Sequence, residues 1–126
     1  MTLDLFIERN IQRFIQLAEL AEQTPSTEMQ WVDQGFQTFL TFRQGCMHIS
    51  QCLLDPCRDN ALLRVALQHA HPAWFAGIPQ RVFTLRQGMV ISCAPMADNV
   101  AEQWLWLHHR QRTFLESYAN QLNEKR

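Results

Sequence analysis

The sequence has almost no lysine, no excess of either charge and no long apolar run. Lys125 is the only lysine, and the 126 residues carry a formal net charge of −1. A chain so close to neutral gives no reason to expect nucleic acid or an anionic membrane as a partner. No apolar stretch approaches the roughly 20 residues that are needed to span a bilayer, so no integral membrane segment is predicted.

A secretory signal and a nucleophile motif are also missing. The chain runs directly from Leu3 to Ala21 in an amphipathic pattern, which is not that of a signal peptide. Its four cysteines are therefore expected to stay reduced in the cytoplasm. No serine, cysteine or aspartate lies in a nucleophile motif, and no histidine has an obvious carboxylate partner nearby in sequence. We expect neither an enzyme nor a bound cofactor.

Two copies of Arg-Gln-Gly, each between strand-like runs, predict two β-hairpins. Gly45 and Gly88 are expected to take positive φ in equivalent turns. The first hairpin covers Phe36–Leu54, and the segment Glu28–Asp33 extends it to a three-stranded meander. The second hairpin covers Arg81–Ala94. The alternative for the start of the meander is a helix that begins at Pro25, because its apolar residues also fit a helical stripe.

Apolar residues at helical spacing predict a first helix from Thr2 to about Glu22. Asp59 is the expected N-cap of a second helix, which must stop near His71 because a proline follows. The resulting order is α-βββ-α-ββ-α in a single domain that spans residues 1–126. The fold class is α+β, with an antiparallel sheet packed against helices.

The last helix is predicted to start at Asp98 or Asn99, with Glu102 completing a capping box behind Asn99. Its apolar stripe includes Trp104, and Trp106 lies about 200° away from that stripe. The predicted core therefore does not account for Trp106. We expect a partner protein to cover a surface that contains Trp106, Arg110 and Thr113 on the last helix and the loop pair Trp74 and Phe75.

Three other sets of residues are candidate sites. Cys46, His48, Cys52 and Cys57 resemble metal ligands, but Cys46 and Cys52 would lie roughly 20 Å apart along a strand. No metal site is therefore expected.

Arg43 and His48 match the Arg-x4-His spacing of a class of small all-helical ribonucleases, which is the enzyme alternative. The basic cluster from His108 to Arg112 is the nucleic-acid alternative, and no aromatic platform or wider basic patch accompanies it.

The element order resembles the class I chaperones of bacterial type III secretion. Three blocks narrow the resemblance to the SsaM/CesL family: Glu8-Arg9-Asn10-Ile11-Gln12 with the residues that follow, Gly77-Ile78-Pro79-Gln80-Arg81, and Leu107-His108-His109-Arg110-Gln111 with Phe114-Leu115-Glu116-Ser117. The resemblance is weakest between Ser26 and His71.

This resemblance implies a non-enzymatic regulator in the bacterial cytoplasm, at the cytoplasmic face of the secretion apparatus. It implies binding to the secretion gatekeeper (SsaL/SepL type) together with a second small chaperone (SpiC/SepD type). The resulting heterodimer or heterotrimer would control the switch from translocator to effector export.

Overall fold

The computed structural model describes residues 3–55 and 60–125, which form an α+β fold with one antiparallel sheet. The predicted order α-βββ-α-ββ-α is confirmed, and a short 3₁₀ turn follows the second helix. The elements are α1 (Leu5–Leu17), β1 (Glu28–Asp33), β2 (Phe36–Arg43), β3 (Cys46–Leu53), α2 (Asn60–His69), the 3₁₀ turn (Pro72–Phe75), β4 (Arg81–Leu85), β5 (Gly88–Cys93) and α3 (Ala101–Lys125).

The sheet consists of the two predicted hairpins set side by side, in the strand order β1-β2-β3-β5-β4. Strands β3 and β5 join them, in a register that pairs Ile49 with Cys93 and Leu53 with Met89. The strand interpretation of the meander is thus confirmed, and the helix from Pro25 is wrong. The sequence favours strands here because Gly35 takes a φ of 84° and closes a two-residue turn between β1 and β2.

One face of the sheet carries the core. Leu40, Ile49 and Ile91 come from three neighbouring strands and are at most 1 % exposed. They belong to one buried cluster with Phe14 of α1 and Trp104 of α3. Since α3 covers this face with one side only, its opposite side is left to face outwards.

The two Arg-Gln-Gly segments form different turns, so the predicted equivalence is wrong. Gly45 lies inside the first turn, with φ at 77° and open space around it. In the second hairpin the turn is Arg86–Gln87, and Gly88 is already a strand residue in register with Leu85. Gly88 does have the predicted positive φ, at 150°, but close packing also requires it. A Cβ there would lie 1.7 Å from the carbonyl oxygen of Leu53.

The first helix ends at Leu17, five residues before the predicted Glu22. Glu19 has a φ of 56°, which takes the chain out of the helix. The tertiary structure favours this early end, because the indole nitrogen of Trp31 donates to the carbonyl oxygen of Ala21 at 2.8 Å. Trp31 is 6 % exposed, and a buried indole N–H needs an acceptor.

Two predicted helix starts, Thr2 and Asp59, lie outside the described residues. In the described part, α1 begins at Leu5, and Asp4 caps it by accepting from the N–H of Ile7 at 2.8 Å.

The predicted capping box of the last helix is wrong by one position. Gln103, and not Glu102, reaches back, and its Oε1 accepts from the N–H of Val100 at 2.8 Å. The side chain of Asn99 instead accepts from an N–H three residues earlier in the preceding loop. Asn10 of α1 accepts from the first N–H of α3 at 2.9 Å. A neighbouring helix thus supplies part of the cap, which local sequence does not reveal.

Candidate protein interface

The structure brings together three of the five residues that the sequence singled out for partner binding. Trp74 in the 3₁₀ turn and Trp106 on α3 are 60 % and 43 % exposed. The guanidinium carbon of Arg110 lies 5.8 Å from the ring centre of Trp74 and 5.1 Å from that of Trp106, within the range of cation–π contact. Trp74, Trp106 and Arg110 form one surface, called here the tryptophan–arginine patch.

A hydrogen bond fixes the turn to the helix. The Nε–H of Arg110 donates to the backbone carbonyl oxygen of Trp74 at 3.0 Å. Residues 74 and 110 are therefore joined through both the backbone and the side chain of Trp74. The patch is therefore a defined contact between the 3₁₀ turn and α3, and not a set of side chains that are exposed independently.

The local sequence explains why the turn holds its shape. Pro72 stands at its first position, where a fixed φ suits a helical start. His71 Nδ1 accepts from the N–H of Ala73 at 3.1 Å. Ala76, in the left-handed conformation, ends the turn, and Gly77 donates to the carbonyl of Pro72 at 2.8 Å. These contacts are local and hold Trp74 at the surface.

Phe75 was expected among the exposed aromatics, and this is wrong. It is 2 % exposed and belongs to the buried core cluster. A 3₁₀ turn has three residues per turn, so neighbouring side chains point in directions about 120° apart. Trp74 faces outwards for the same reason that Phe75 faces inwards.

Thr113 is exposed and lies three residues after Arg110 on α3. This spacing places it near Arg110 on the helix surface. Its hydroxyl donates to the carbonyl oxygen of His109 at 3.0 Å, within its own helix. Thr113 thus borders the patch without contributing to the contact between the two tryptophans.

The opposite side of α3 is polar too, but its polar groups are bonded to the sheet. The side-chain amide of Gln51 in β3 donates to the carbonyl oxygen of His108 at 2.6 Å, and its Oε1 accepts from the Nε–H of Arg112 at 2.7 Å. Gln111 is fully buried and donates to the carbonyl oxygen of Ile49 at 3.1 Å. This inner network attaches the helix to the sheet.

Buried titratable groups are held in their neutral forms. The pKa of His108 is lowered to about 4, mainly by burial and in smaller part by the nearby Arg112 and His109 charges. Burial raises the pKa of the Cys52 and Cys93 thiols to about 11. At neutral pH these thiols are protonated, whereas nucleophilic chemistry requires the thiolate.

The structure disperses the basic cluster that was weighed as a nucleic-acid site. His108 is buried, Arg112 is bonded to Gln51 in the sheet, and Arg110 faces the opposite side. These charges therefore do not form one continuous basic surface, and the backbone of a nucleic acid needs such a surface.

The ribonuclease alternative requires a helix around Arg43 and His48, but both lie in strands of the first hairpin. Arg43 is paired with Glu28 at 3.1 Å. Within residues 3–55 and 60–125, no group of three or more possible ligands is arranged to hold a metal ion. Cys57, one of the four residues weighed for that role, lies outside the described residues.

Sequence reasoning named the members of the patch but not their contact. Trp74 and Arg110 are 36 residues apart, and no local sequence pattern predicts the hydrogen bond between them. Of the inner network, Gln111 does leave a signal, because it is a polar residue in an apolar helical stripe. Gln51 leaves a similar one, since it occupies one of the alternate positions of β3 that are otherwise apolar and buried.

No helix of the described ranges is both long and apolar enough to cross a membrane. The fold is similar to that of the E. coli protein YbjN, whose crystal structure superposes with a TM-score of 0.53 at 11 % identity, over 93 % of this chain and 91 % of that one. At this identity the likeness concerns the fold alone.

Sequence comparison gives a closer relationship. The chain is 50 % identical over 117 residues to the secretion system apparatus protein SsaM of Salmonella typhimurium. The matched region covers 93 % of this chain and 96 % of that protein. The profile of the SsaM family matches residues 4–118, which include α1, the whole sheet and the patch. The chain belongs to the SsaM family.

Proposed function

We propose that this protein is a non-enzymatic, chaperone-like regulator of bacterial type III secretion. The observation that carries the proposal is the 50 % identity, over nearly the whole length of both chains, to a secretion system apparatus protein. The protein binds the secretion gatekeeper of the SsaL/SepL type together with a small co-chaperone of the SpiC/SepD type. The complex acts in the cytoplasm at the face of the apparatus and holds back effectors while translocators are exported.

The tryptophan–arginine patch is the surface that we assign to this binding. Tryptophan and arginine are the residue types that most often dominate the binding energy of protein interfaces. The hydrogen bond to the Trp74 carbonyl holds the Arg110 side chain in place, so this side chain has less freedom to lose on binding. Thr113 would lie at the border of the contact.

Binding fits the structure better than catalysis does. The groups with the most strongly shifted pKa values, His108, Cys52 and Cys93, are buried in neutral form, away from the patch. The patch itself holds a cation and two aromatic rings, which recognise surfaces but carry no nucleophile or general base.

The test is reconstitution with purified components. We expect the wild-type chain to co-elute with the gatekeeper and the co-chaperone on gel filtration, and its tryptophan fluorescence to shift on titration with either partner. The double substitution Trp106→Ala with Arg110→Ala should leave the melting temperature nearly unchanged and weaken binding by about 30-fold or more.

The matched control is Val32→Ala, which removes an apolar side chain that is 68 % exposed on the edge strand β1. It should bind like the wild type. A folded wild-type chain that binds neither partner would contradict the proposed function, and a double variant with wild-type affinity would contradict the assigned surface.

A further inference from the structure

Arg110 carries a charge that the described part of the chain leaves uncompensated. Ion pairs within 4 Å in residues 3–55 and 60–125 are Arg13 with Glu102 and Arg43 with Glu28. No carboxylate of these residues lies that close to Arg110. Among these residues it contacts the carbonyl oxygen of Trp74 and the two indole rings.

The guanidinium is nevertheless held in a defined position. Its Nε–H is used by the Trp74 carbonyl, while the four N–H groups on its two terminal nitrogens have no hydrogen-bond partner among the described residues. The indole rings flank it at 5.1 and 5.8 Å. A planar fork with free donors, already ordered by its neighbours, matches a carboxylate in bidentate geometry.

We propose that Arg110 binds the carboxylate of an aspartate or glutamate in a partner protein, and that apolar side chains next to that carboxylate cover Trp74 and Trp106. This inference rests on the proposed function, because it names the chemistry of the partner at the same surface. Covering the rings removes water from around the ion pair, which strengthens it. The partner segment is therefore acidic at its centre and apolar at its edges.

A protein carboxylate fits this surface better than a phosphate backbone does. A nucleic acid needs several cations in a row, whereas His108 is buried and Arg112 is bonded to the sheet. The single presented cation between two rings suits one carboxylate in an otherwise apolar contact.

The first test compares three single variants in titrations with the purified gatekeeper and with the purified co-chaperone. Arg110→Met keeps the aliphatic stem but removes the charge, and should weaken binding to one partner by about 30-fold or more. Arg110→Lys keeps the charge but loses the fork, and should recover only part of the affinity. Arg9→Met, which removes an exposed charge of α1, is the control and should bind normally.

A second measurement is the salt dependence of binding. Wild-type affinity should fall as NaCl rises from low to high concentration, and the Arg110→Met affinity should fall less over the same range, because the ion pair is gone. Exchange of charges gives the decisive result. Arg110→Asp should abolish binding, and changing one acidic residue of the partner to arginine should restore it.

The outcomes separate the inference from the proposal beneath it. If Trp106→Ala weakens binding and Arg110→Met does not, the carboxylate inference is overturned while the proposed function stands. If the wild-type chain binds neither partner, the proposed function itself fails. Tight binding of a fluorescein-labelled single-stranded 20-mer oligonucleotide that Arg110→Met abolishes would assign the site to phosphate and overturn the inference.

Discussion

The two sides of α3 use the same residue type in opposite ways. Arg110 and Arg112 each lie over an aromatic side chain, but they point to opposite sides of the helix because they are two residues apart. The inner one, Arg112, stacks on Phe36 at 4.1 Å and donates to Gln51 in the sheet. The outer one lies between two exposed tryptophans.

The two arginines differ in the burial of the groups that they contact. The charge of Arg112 is countered by Asp33 and Glu116, although burial is the larger effect and lowers its pKa. Neither arginine has a carboxylate within 4 Å among the described residues. Arg112 donates its Nε–H to the buried Gln51, whereas Arg110 donates its own to an exposed backbone carbonyl beside two exposed rings, where another molecule can reach it.

The largest difference between the two sides should come from their tryptophans. Trp104→Ala removes a side chain that is 2 % exposed, and should lower the free energy of unfolding by about 3–5 kcal/mol. Trp106→Ala removes one that is 43 % exposed, and should cost less than about 1 kcal/mol. Urea denaturation followed by circular dichroism measures both.

If both tryptophan variants lost the same free energy of unfolding, the assignment of an inner and an outer side of α3 would be contradicted. A large loss for Trp106→Ala alone would make the patch part of the core.

The inner side should also make stability depend on pH. The folded-state pKa of His108 is about 4, below its ordinary value of 6.5, so between these values the unfolded chain binds a proton that the folded chain does not. Stability from this group is fully present above pH 6.5 and is lost as the pH falls towards 4. The loss amounts to about 3 kcal/mol at most.

Urea midpoints measured from pH 7.5 to pH 4 test this expectation. His108→Phe should flatten that part of the profile, since the new side chain does not titrate. His69→Phe, at an exposed histidine of α2 that is not among the charges acting on His108, should leave the profile as it is. A profile that is unchanged in His108→Phe would show that other groups cause the dependence.

A smaller effect should follow from breaking the inner network. Gln51→Leu leaves the His108 carbonyl and the Arg112 Nε–H without their partner, and should cost about 1–3 kcal/mol. The control is Gln37→Leu on β2, whose amide bonds to Gln30 on the exposed side of the sheet. We expect the control to stay within about 0.5 kcal/mol of the wild type.

If Gln51→Leu is as stable as the wild type, the inner network does not hold α3 to the sheet. Backbone amide exchange in β3 would then be expected to stay slow in the variant as well.

The sequence predicts the strands of this fold well because their signals are local. Alternating apolar residues and Gly35 or Gly45 in the turns mark the meander to within one residue at each end. Gly88 shows the limit of such reasoning. Its Arg-Gln-Gly context suggests a turn glycine, but the constraint comes from the backbone of Leu53, which is remote in sequence and adjacent in the sheet.

The helix ends and the tryptophan–arginine patch also depend on contacts between residues that are remote in sequence. The indole N–H of Trp31 binds the carbonyl oxygen of Ala21 beyond the end of α1, and Asn10 caps the start of α3. Tertiary contacts therefore contribute to both helix boundaries. Helical periodicity identified Trp106 as a residue that the core does not use. It could not show that Trp74 lies beside Arg110, because that contact depends on how the 3₁₀ turn docks on α3.

The smallest effect provides the closest comparison, since it changes the same residue type on both sides. Arg112→Met leaves the Oε1 of buried Gln51 without its donor and should cost about 1–2 kcal/mol. Arg110→Met loses an exposed hydrogen bond and two surface cation–π contacts, and should cost only about 0.5 kcal/mol. Paired urea titrations resolve this difference, and the tryptophan emission of Arg110→Met should shift because Trp74 loses its anchor. If Arg110→Met costs as much as Arg112→Met, the outer arginine serves the fold. The tryptophan–arginine patch would then be a structural contact and not a surface presented to a partner.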